Sequence, residues 1–371
     1  MVSIDATVKA ICEAPTFDAR IAEIRKIPGK HGSDDWAKIY ADVARRIYVP
    51  ALSPDFAYIH ADDDFYSEKH FQSAYKAAAE GTKHFSDVAT ATIAATLEKT
   101  PTSLLAFRVI TGLTRDEFAH AVKMQNDGAK LTGSTVDGHE RSGSAMPAKR
   151  AQQFAETITG LMTGKLFGST PSSDVVTKQA FKPDTLNGWS SVAKYATAGV
   201  PFWMLLHQRH YGGSFRQILD ATSTKRGDII EDAVEELFQD SGIPYIRTGA
   251  HNQAAIMKRF GLEVRPAPDF VVFEEQSDTL RAILECKGAN DGGTARDKAL
   301  RFNKLRDEAR RLGGLPVVAV LGGIGWNRVN DTLGPVLADT EGRVFTLSSL
   351  QQMLTISPFT SLMGTASQAS Q

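Results

Sequence analysis

Pro268-Asp269-Phe270-Val271-Val272-Phe273, followed downstream by Ala282-Ile283-Leu284-Glu285-Cys286-Lys287, decides how the C-terminal half of the chain is read. Phe270–Phe273 and Ala282–Leu284 are short apolar runs bounded by turn-forming residues, the pattern of buried strands. Side chains alternate along a strand, so Glu285 and Lys287 leave on one face while Leu284 and Cys286 take the other. A carboxylate and an amine on a strand with apolar flanks call for partners, because buried charges are rare unless paired or metal-bound. Pro-Asp also occurs at 54 and 183 and carries little weight alone, whereas Asp/Glu-x-Lys occurs only at 285–287. The competing reading, a surface hairpin with an ordinary Glu and Lys, fits the apolar flanks poorly.

The neighbouring sequence builds a fold around these strands. Arg226 to Asp240 is helical, with Ile230, Ala233, Val234, Leu237 and Phe238 on one face. Gly242-Ile-Pro-Tyr-Ile-Arg247 reads as a stop and then a strand. From Thr294 to Leu312 the apolar residues Ala295, Ala299, Phe302, Leu305, Ala309 and Leu312 recur at spacings of three and four, predicting a long helix capped by Thr294 and ended by Gly313. Leu315 to Leu321 and Arg343 to Leu347 are further strands. Helix, strands, helix, strand is an α/β pattern, a mixed central sheet flanked by helices.

Upstream, Ala74–Ala79 and Asp87–Leu97 are alanine-rich and lack interior Gly or Pro, so the first 130 residues read as mainly helical. Leu131–Met146 is half Gly, Ser and Thr, which reads as a loop or linker. A helix is expected from Ala148 to Met162, then a loose stretch from Thr163 to Trp189. The expected division is a helical region over 1–146, suited to DNA recognition or oligomerisation, a helix and linker over 147–193, a catalytic domain over 194–356, and a disordered tail over 357–371.

Composition narrows the class. At 371 residues the chain has room for about two domains, and 42% of it is apolar, enough for a sizeable core. Lys and Arg number 42 against 43 Asp and Glu, a net charge of −1, so any nucleic-acid contact has to come from a local basic patch. Cys12 and Cys286 lie far apart, which excludes a disulfide scaffold and a cysteine zinc module and suits a reducing cytoplasm. No basic stretch followed by an apolar run opens the sequence, so no signal peptide is expected. The longest apolar run, Val200 to Leu206, falls far short of the ~20 residues that cross a bilayer. A soluble cytoplasmic protein without membrane contact is expected.

If Asp269 heads the strand beside Glu285, two carboxylates and a lysine share a few ångströms. That is a hard-oxygen site suited to Mg²⁺, which takes one or two carboxylates together with waters and phosphate oxygens. Such a metal acidifies a bound water and neutralises phosphate charge, and Lys287 is placed to orient that water or stabilise developing negative charge.

With Pro268-Asp269, Glu285-Cys286-Lys287, the acidic helix before them and the helix and strand after them, the region from Gly227 to Leu350 resembles the PD-(D/E)XK nuclease superfamily. Within it, the resemblance is to type II restriction endonucleases. It implies that Asp269 and Glu285 bind Mg²⁺ and that Lys287 assists hydrolysis of a phosphodiester in double-stranded DNA. Many members of that superfamily add a glutamate from the helix before the first strand. Here the helix offers Asp228, Glu231, Asp232, Glu235 and Glu236, and at 100° per residue Glu231 falls closest to the apolar stripe, while Asp232 and Glu236 face solvent. Glu231 is therefore the third candidate metal ligand and catalytic carboxylate, with a solvated acidic face as the alternative. The restriction-type resemblance also implies a homodimer, since a symmetric site is most simply cut by two active sites related by a two-fold axis.

The local basic patch lies just downstream. Between Arg281 and Arg311 nine Lys and Arg face five Asp and Glu, a net of +4. The loop Gly288–Gly293 leads into a helix N-terminus, which favours a phosphate, and Arg296, Lys298, Arg301 and Asn303 are the side chains expected against DNA. Three other features are weaker. Phe107–Ala119 is similar to the start of a helix-turn-helix, although Met124-Gln-Asn-Asp-Gly gives no clear recognition helix. His207 and His210 lack a carboxylate at metal spacing and read as packing or DNA-backbone residues. Leu321-Gly-Gly-Ile-Gly-Trp326 lacks the full dinucleotide fingerprint, so no nucleotide cofactor is expected. Two other functions fit the sequence: a structure-specific repair or recombination nuclease, and a non-catalytic helix-turn-helix DNA-binding regulator. The Asp/Glu/Lys set argues against the regulator.

Overall fold

A computed structural model describes residues 2–52, 64–126, 130–166, 176–201, 203, 204, 206, 208 and 223–363. The chain divides into two compact units, Met1–Ile59 joined with Thr222–Gln371, and His60–Ala221. This differs from the division expected from sequence. The first helices belong with the sheet, and the sheet unit resumes at Thr222 instead of at 194. The reason lies in their apolar faces: Phe17 stacks on Phe345 of the last strand at 4.8 Å, and the Tyr48 hydroxyl donates to the Gly342 carbonyl at 2.8 Å. Gly342 has φ +85°, and a Cβ there would come within 2.4 Å of Ile24, so the turn before the last strand accepts glycine alone.

Among the described residues the sheet has five strands in the order β1 (Tyr245–Arg247), β2 (Phe270–Glu274), β3 (Thr279–Gly288), β4 (Val317–Gly322) and β5 (Val344–Phe345). β1, β2 and β3 pair antiparallel, while β3, β4 and β5 pair parallel, making the sheet mixed. Each parallel step needs a crossover. The helix Gly292–Arg311 makes the first and the helix Leu333–Asp339 the second. Helices flank the sheet: Phe238 of the helix Ser223–Asp240 sets its ring edge-on to Phe270 at 6.0 Å, and Ala295, Ala299, Phe302, Leu305 and Ala309 of Gly292–Arg311 are buried in the same core. β4 is buried along its whole length, which is why its sequence is continuously apolar instead of alternating.

Two end assignments differ from expectation. Asp291, and not Thr294, caps the long helix, its Oδ1 accepting from the Thr294 N–H at 2.8 Å. The segment from Ser357 is ordered as far as the described residues reach: Phe359 is buried in the short helix Phe359–Leu362 and stacks on Phe238 at 5.8 Å. One aromatic anchor outweighs the small polar residues around it. Residues 364–371 lie outside the described residues.

The other unit is helical, as expected, and the helix Ala148–Met162 stands where the sequence placed it. Leu131–Met146 is not a linker. It contains the helix Gly133–Ser142, capped by Thr132, whose Val136, His139 and Glu140 turn inward at spacings of three and four. Glu140 is buried and takes Arg108 in a two-pronged pair, Nε to Oε1 at 2.6 Å and Nη2 to Oε2 at 2.9 Å. Composition suggested a loop, but this buried pair and the buried Val136 fix a helix. Within Thr163–Trp189 a short helix spans Lys178–Phe181, and 167–175 lie outside the described residues.

Candidate active site

The register of the sheet assembles the site. Phe270 pairs with Leu284, so Asp269, one residue before β2, stands across from Glu285 near the end of β3. The Asp269 main chain is fixed there by the Thr248 N–H, which donates to its carbonyl at 2.8 Å. Lys287, two residues beyond Glu285 and on the same face, closes the group. Its ammonium lies 2.7 Å from Glu285 Oε1, 3.0 Å from Asp269 Oδ2 and 2.9 Å from the Cys286 carbonyl, so its three donors meet three acceptors. Asp269 Oδ2 also accepts from the Cys286 N–H at 2.8 Å. The sequence expectation that these three charges meet is therefore realised.

Glu285 is 2% exposed and carries a second cation. Arg301 donates Nε to Oε1 at 2.9 Å and Nη2 to Oε2 at 3.2 Å, and Nη2 also reaches the Pro266 carbonyl at 2.9 Å. This corrects the expectation that Arg301 faces DNA: it turns inward. The signal was present in the sequence, because Arg301 borders the apolar stripe four residues before Leu305.

Burial, and then the charge of Glu285, push the Asp269 carboxyl above the usual carboxylate range, against the opposing pull of Lys287. Burial works to lower Lys287, yet Glu285 and Asp269 together hold it above an ordinary lysine. Cys286, buried on the opposite face, has its thiol raised by burial and by the nearby carboxylates.

Glu231 comes within electrostatic reach of the group without joining it. Burial and the charge of Asp269 raise its carboxyl, while Arg247 opposes. Arg247, which sequence reasoning missed, gathers the acidic helix face: Nε lies 3.2 Å from Glu231 Oε2, and Nη1 lies 2.7 Å from both Asp232 Oδ1 and Glu235 Oε2. Its place beside Tyr245 on a half-buried three-residue strand gave no periodic signal.

Of the other expected DNA-facing side chains, Arg296 is exposed. Asn303 is exposed too, its amide 2.8 and 3.0 Å from the terminal nitrogens of Arg306. Lys298 is half-buried and donates to the Gly288 carbonyl at 2.5 Å. The expected phosphate at the following helix N-terminus meets the Asp291 carboxylate, which already accepts from the Thr294 N–H. The glycines of Leu321–Trp326 have a packing role: a Cβ on Gly323 would fall 2.1 Å from the Ala289 carbonyl oxygen, and buried Trp326 donates to Gly322 at 3.1 Å.

The stretch similar to a helix-turn-helix folds as the helices Leu104–Thr111 and Arg115–Gln125 around Gly112 at φ +73°. Lys178 takes Glu117 on the second helix at 2.7 Å, while Gln179 and Lys182 donate to the last carbonyls of the first. His207 and His210 lie outside the described residues. Among the described residues no group of three or more His, Cys, Asp or Glu is arranged to hold a metal, and no helix is long and apolar enough to cross a membrane.

No family model matches the chain, and no curated protein or solved structure is significantly similar to it.

Proposed function

We propose that the chain is a Mg²⁺-dependent endonuclease of restriction type, acting on double-stranded DNA in the reducing cytoplasm and carrying a restriction-endonuclease-like core. The observation that supports this is the meeting of Asp269 and Glu285, from neighbouring strands, on the single ammonium of Lys287. The donor set fits a hard cation: two carboxylates suffice for Mg²⁺, which keeps waters and takes phosphate oxygens for its other positions. Asp269 and Glu285 would hold it, with Glu231 close enough to feel the charge of Asp269 and to act on the site through water. When bound, the ion supplies an acidified water and neutralises phosphate charge.

The protein's own groups divide the remaining work. Lys287, kept protonated by its two carboxylates, serves as a fixed positive charge toward the negative charge that grows on the phosphate, and not as a proton acceptor. The exposed cations of the helix Gly292–Arg311, Arg296 among them, attract the DNA backbone. Both cysteines are free, as a reducing compartment requires. Two copies, each cutting one strand of a symmetric site, are the simplest assembly. Light scattering that gives a monomer mass both free and on DNA would remove that element.

The deciding experiment is incubation of the purified protein with mixed plasmids and Mg²⁺. Discrete fragments support site-specific cutting, a smear means a nuclease without sequence choice, and intact DNA overturns the reading. Asp269→Ala and Glu285→Ala are expected to abolish cutting while DNA binding persists.

A further inference from the structure

We infer that Arg301 is a positioning residue of this site: it holds Glu285 in one orientation and sets how strongly the two carboxylates attract a divalent cation. The inference rests on the nuclease reading. Three observations carry it. The guanidinium grips both oxygens of a carboxylate that is 2% exposed, and its planar fork admits one relative orientation of the two groups. Through Nη2 it also reaches the Pro266 carbonyl, three residues before Asp269, so one side chain ties together the segments that deliver both carboxylates. Its remaining nitrogen, Nη1, is buried without a hydrogen-bond partner. That donor has no protein acceptor and can serve an oxygen that arrives with ligand.

Charge then decides the effect on metal. Asp269 and Glu285 are balanced by Lys287 and Arg301, so the group is neutral before any metal or DNA arrives. Each fixed cation disfavours a divalent ion nearby. The arrangement therefore binds metal weakly alone and more strongly once a phosphate adds negative charge. Replacing Arg301 with a neutral side chain should strengthen metal binding without DNA and, because Glu285 loses its fork, slow cleavage. Loss of structure would weaken both.

The test uses full-length protein and Mn²⁺ followed by electron paramagnetic resonance in the absence of DNA, alongside single-turnover plasmid cleavage at saturating metal. For Arg301→Gln the expected result is Mn²⁺ binding at least threefold tighter and cleavage at least tenfold slower. Arg301→Lys keeps the charge but loses the fork, so Mn²⁺ affinity should stay within twofold of wild type while cleavage falls to an intermediate rate. Unchanged or weakened Mn²⁺ binding in Arg301→Gln, or unchanged cleavage, overturns the inference. If Arg301→Gln does not fold by circular dichroism, Arg301→Lys decides: binding kept with cleavage reduced supports it, and both kept or both lost overturns it. Wild-type protein that neither binds Mn²⁺ nor cuts DNA sinks the nuclease reading and this inference with it. Wild-type protein that does both, with variants that behave identically, sinks the inference alone.

Discussion

The ammonium of Lys287 stands 2.7 Å from Oε1 of Glu285, and the two side chains leave the same face of the same strand two residues apart. The strand's alternation creates this contact, and the register of β2 against β3 then delivers Asp269 to the same nitrogen. Buried Glu285, with half-buried Asp269 beside it, is tolerable at the edge of the core because two cations arrive with them.

Lys287→Ala is expected to slow cleavage by about 10²–10³-fold, the usual effect of removing one electrostatic stabiliser of a transition state. Mg²⁺ should not restore the rate, since the loss is a fixed charge and not a ligand. Single-turnover plasmid cleavage across a Mg²⁺ series measures it, and a wild-type rate would return Lys287 to a structural role.

Asp269→Asn is expected to unfold at a urea midpoint equal to or above wild type at pH 7. The Asp269 carboxyl is raised by burial and by Glu285, so the folded state binds its proton more tightly than the unfolded chain does. Its ionised form therefore costs stability above the raised pKa, and wild type regains that stability as pH falls through it. The gap between variant and wild type should narrow as pH falls from 7 through the raised pKa toward the ordinary carboxylate value. A gap that widens as pH falls contradicts the assignment.

Arg296→Ala is expected to weaken DNA binding and flatten its salt dependence by about 0.9 in log K against log salt, the contribution of one neutralised phosphate. Arg296 is exposed on the helix that follows the lysine strand, unlike the inward-turned Arg301. Equal weakening on all sequences marks a phosphate contact, relaxed sequence choice marks base readout, and no change returns that helix face to solvent.

Phe359→Ala is expected to destabilise the sheet unit by about 3–5 kcal/mol, as removal of a buried ring does. The ring is fully buried and stacks on Phe238, which in turn meets Phe270. Urea unfolding checks it, and an unchanged midpoint would restore the reading of this segment as an unstructured tail.

The legibility of these elements follows from how far apart their causes lie in sequence. β2, β3, β4 and the long helix were readable because their signal is local: apolar runs and spacings of three and four that any window contains. The same local logic placed Glu231 at the edge of its helix's apolar stripe, and applied to Leu305 it would have turned Arg301 inward. What composition hid was long-range. Glu140 is one polar residue among many in a Gly- and Ser-rich stretch until Arg108, 32 residues earlier, gives it a buried partner. Phe17 and Phe345 are ordinary aromatics until the fold stacks them, and nothing near residue 17 announces that its helix belongs with a strand at the far end of the chain.

The last prediction concerns Glu231. Its carboxyl is raised by burial and by Asp269, so it senses the site, yet Arg247 holds it with Asp232 and Glu235 on one guanidinium. Glu231→Gln keeps the shape and the capacity to accept from Arg247 while removing the charge that faces Asp269. It is expected to slow cleavage at least tenfold, with partial recovery at higher Mg²⁺ or with Mn²⁺, whose affinity for such oxygen ligands is greater. Glu235→Gln touches the same arginine from the side bonded to Tyr245, at 3.0 Å from its hydroxyl, and should leave the rate within about twofold of wild type if Arg247 serves only to anchor the helix. Steady-state rates across a metal series compare the two variants. Equal losses in both would make Arg247, and not Glu231, the element that matters. A loss confined to Glu235→Gln would move the third carboxylate one helical turn along, with Asp269 and Glu285 still holding the metal.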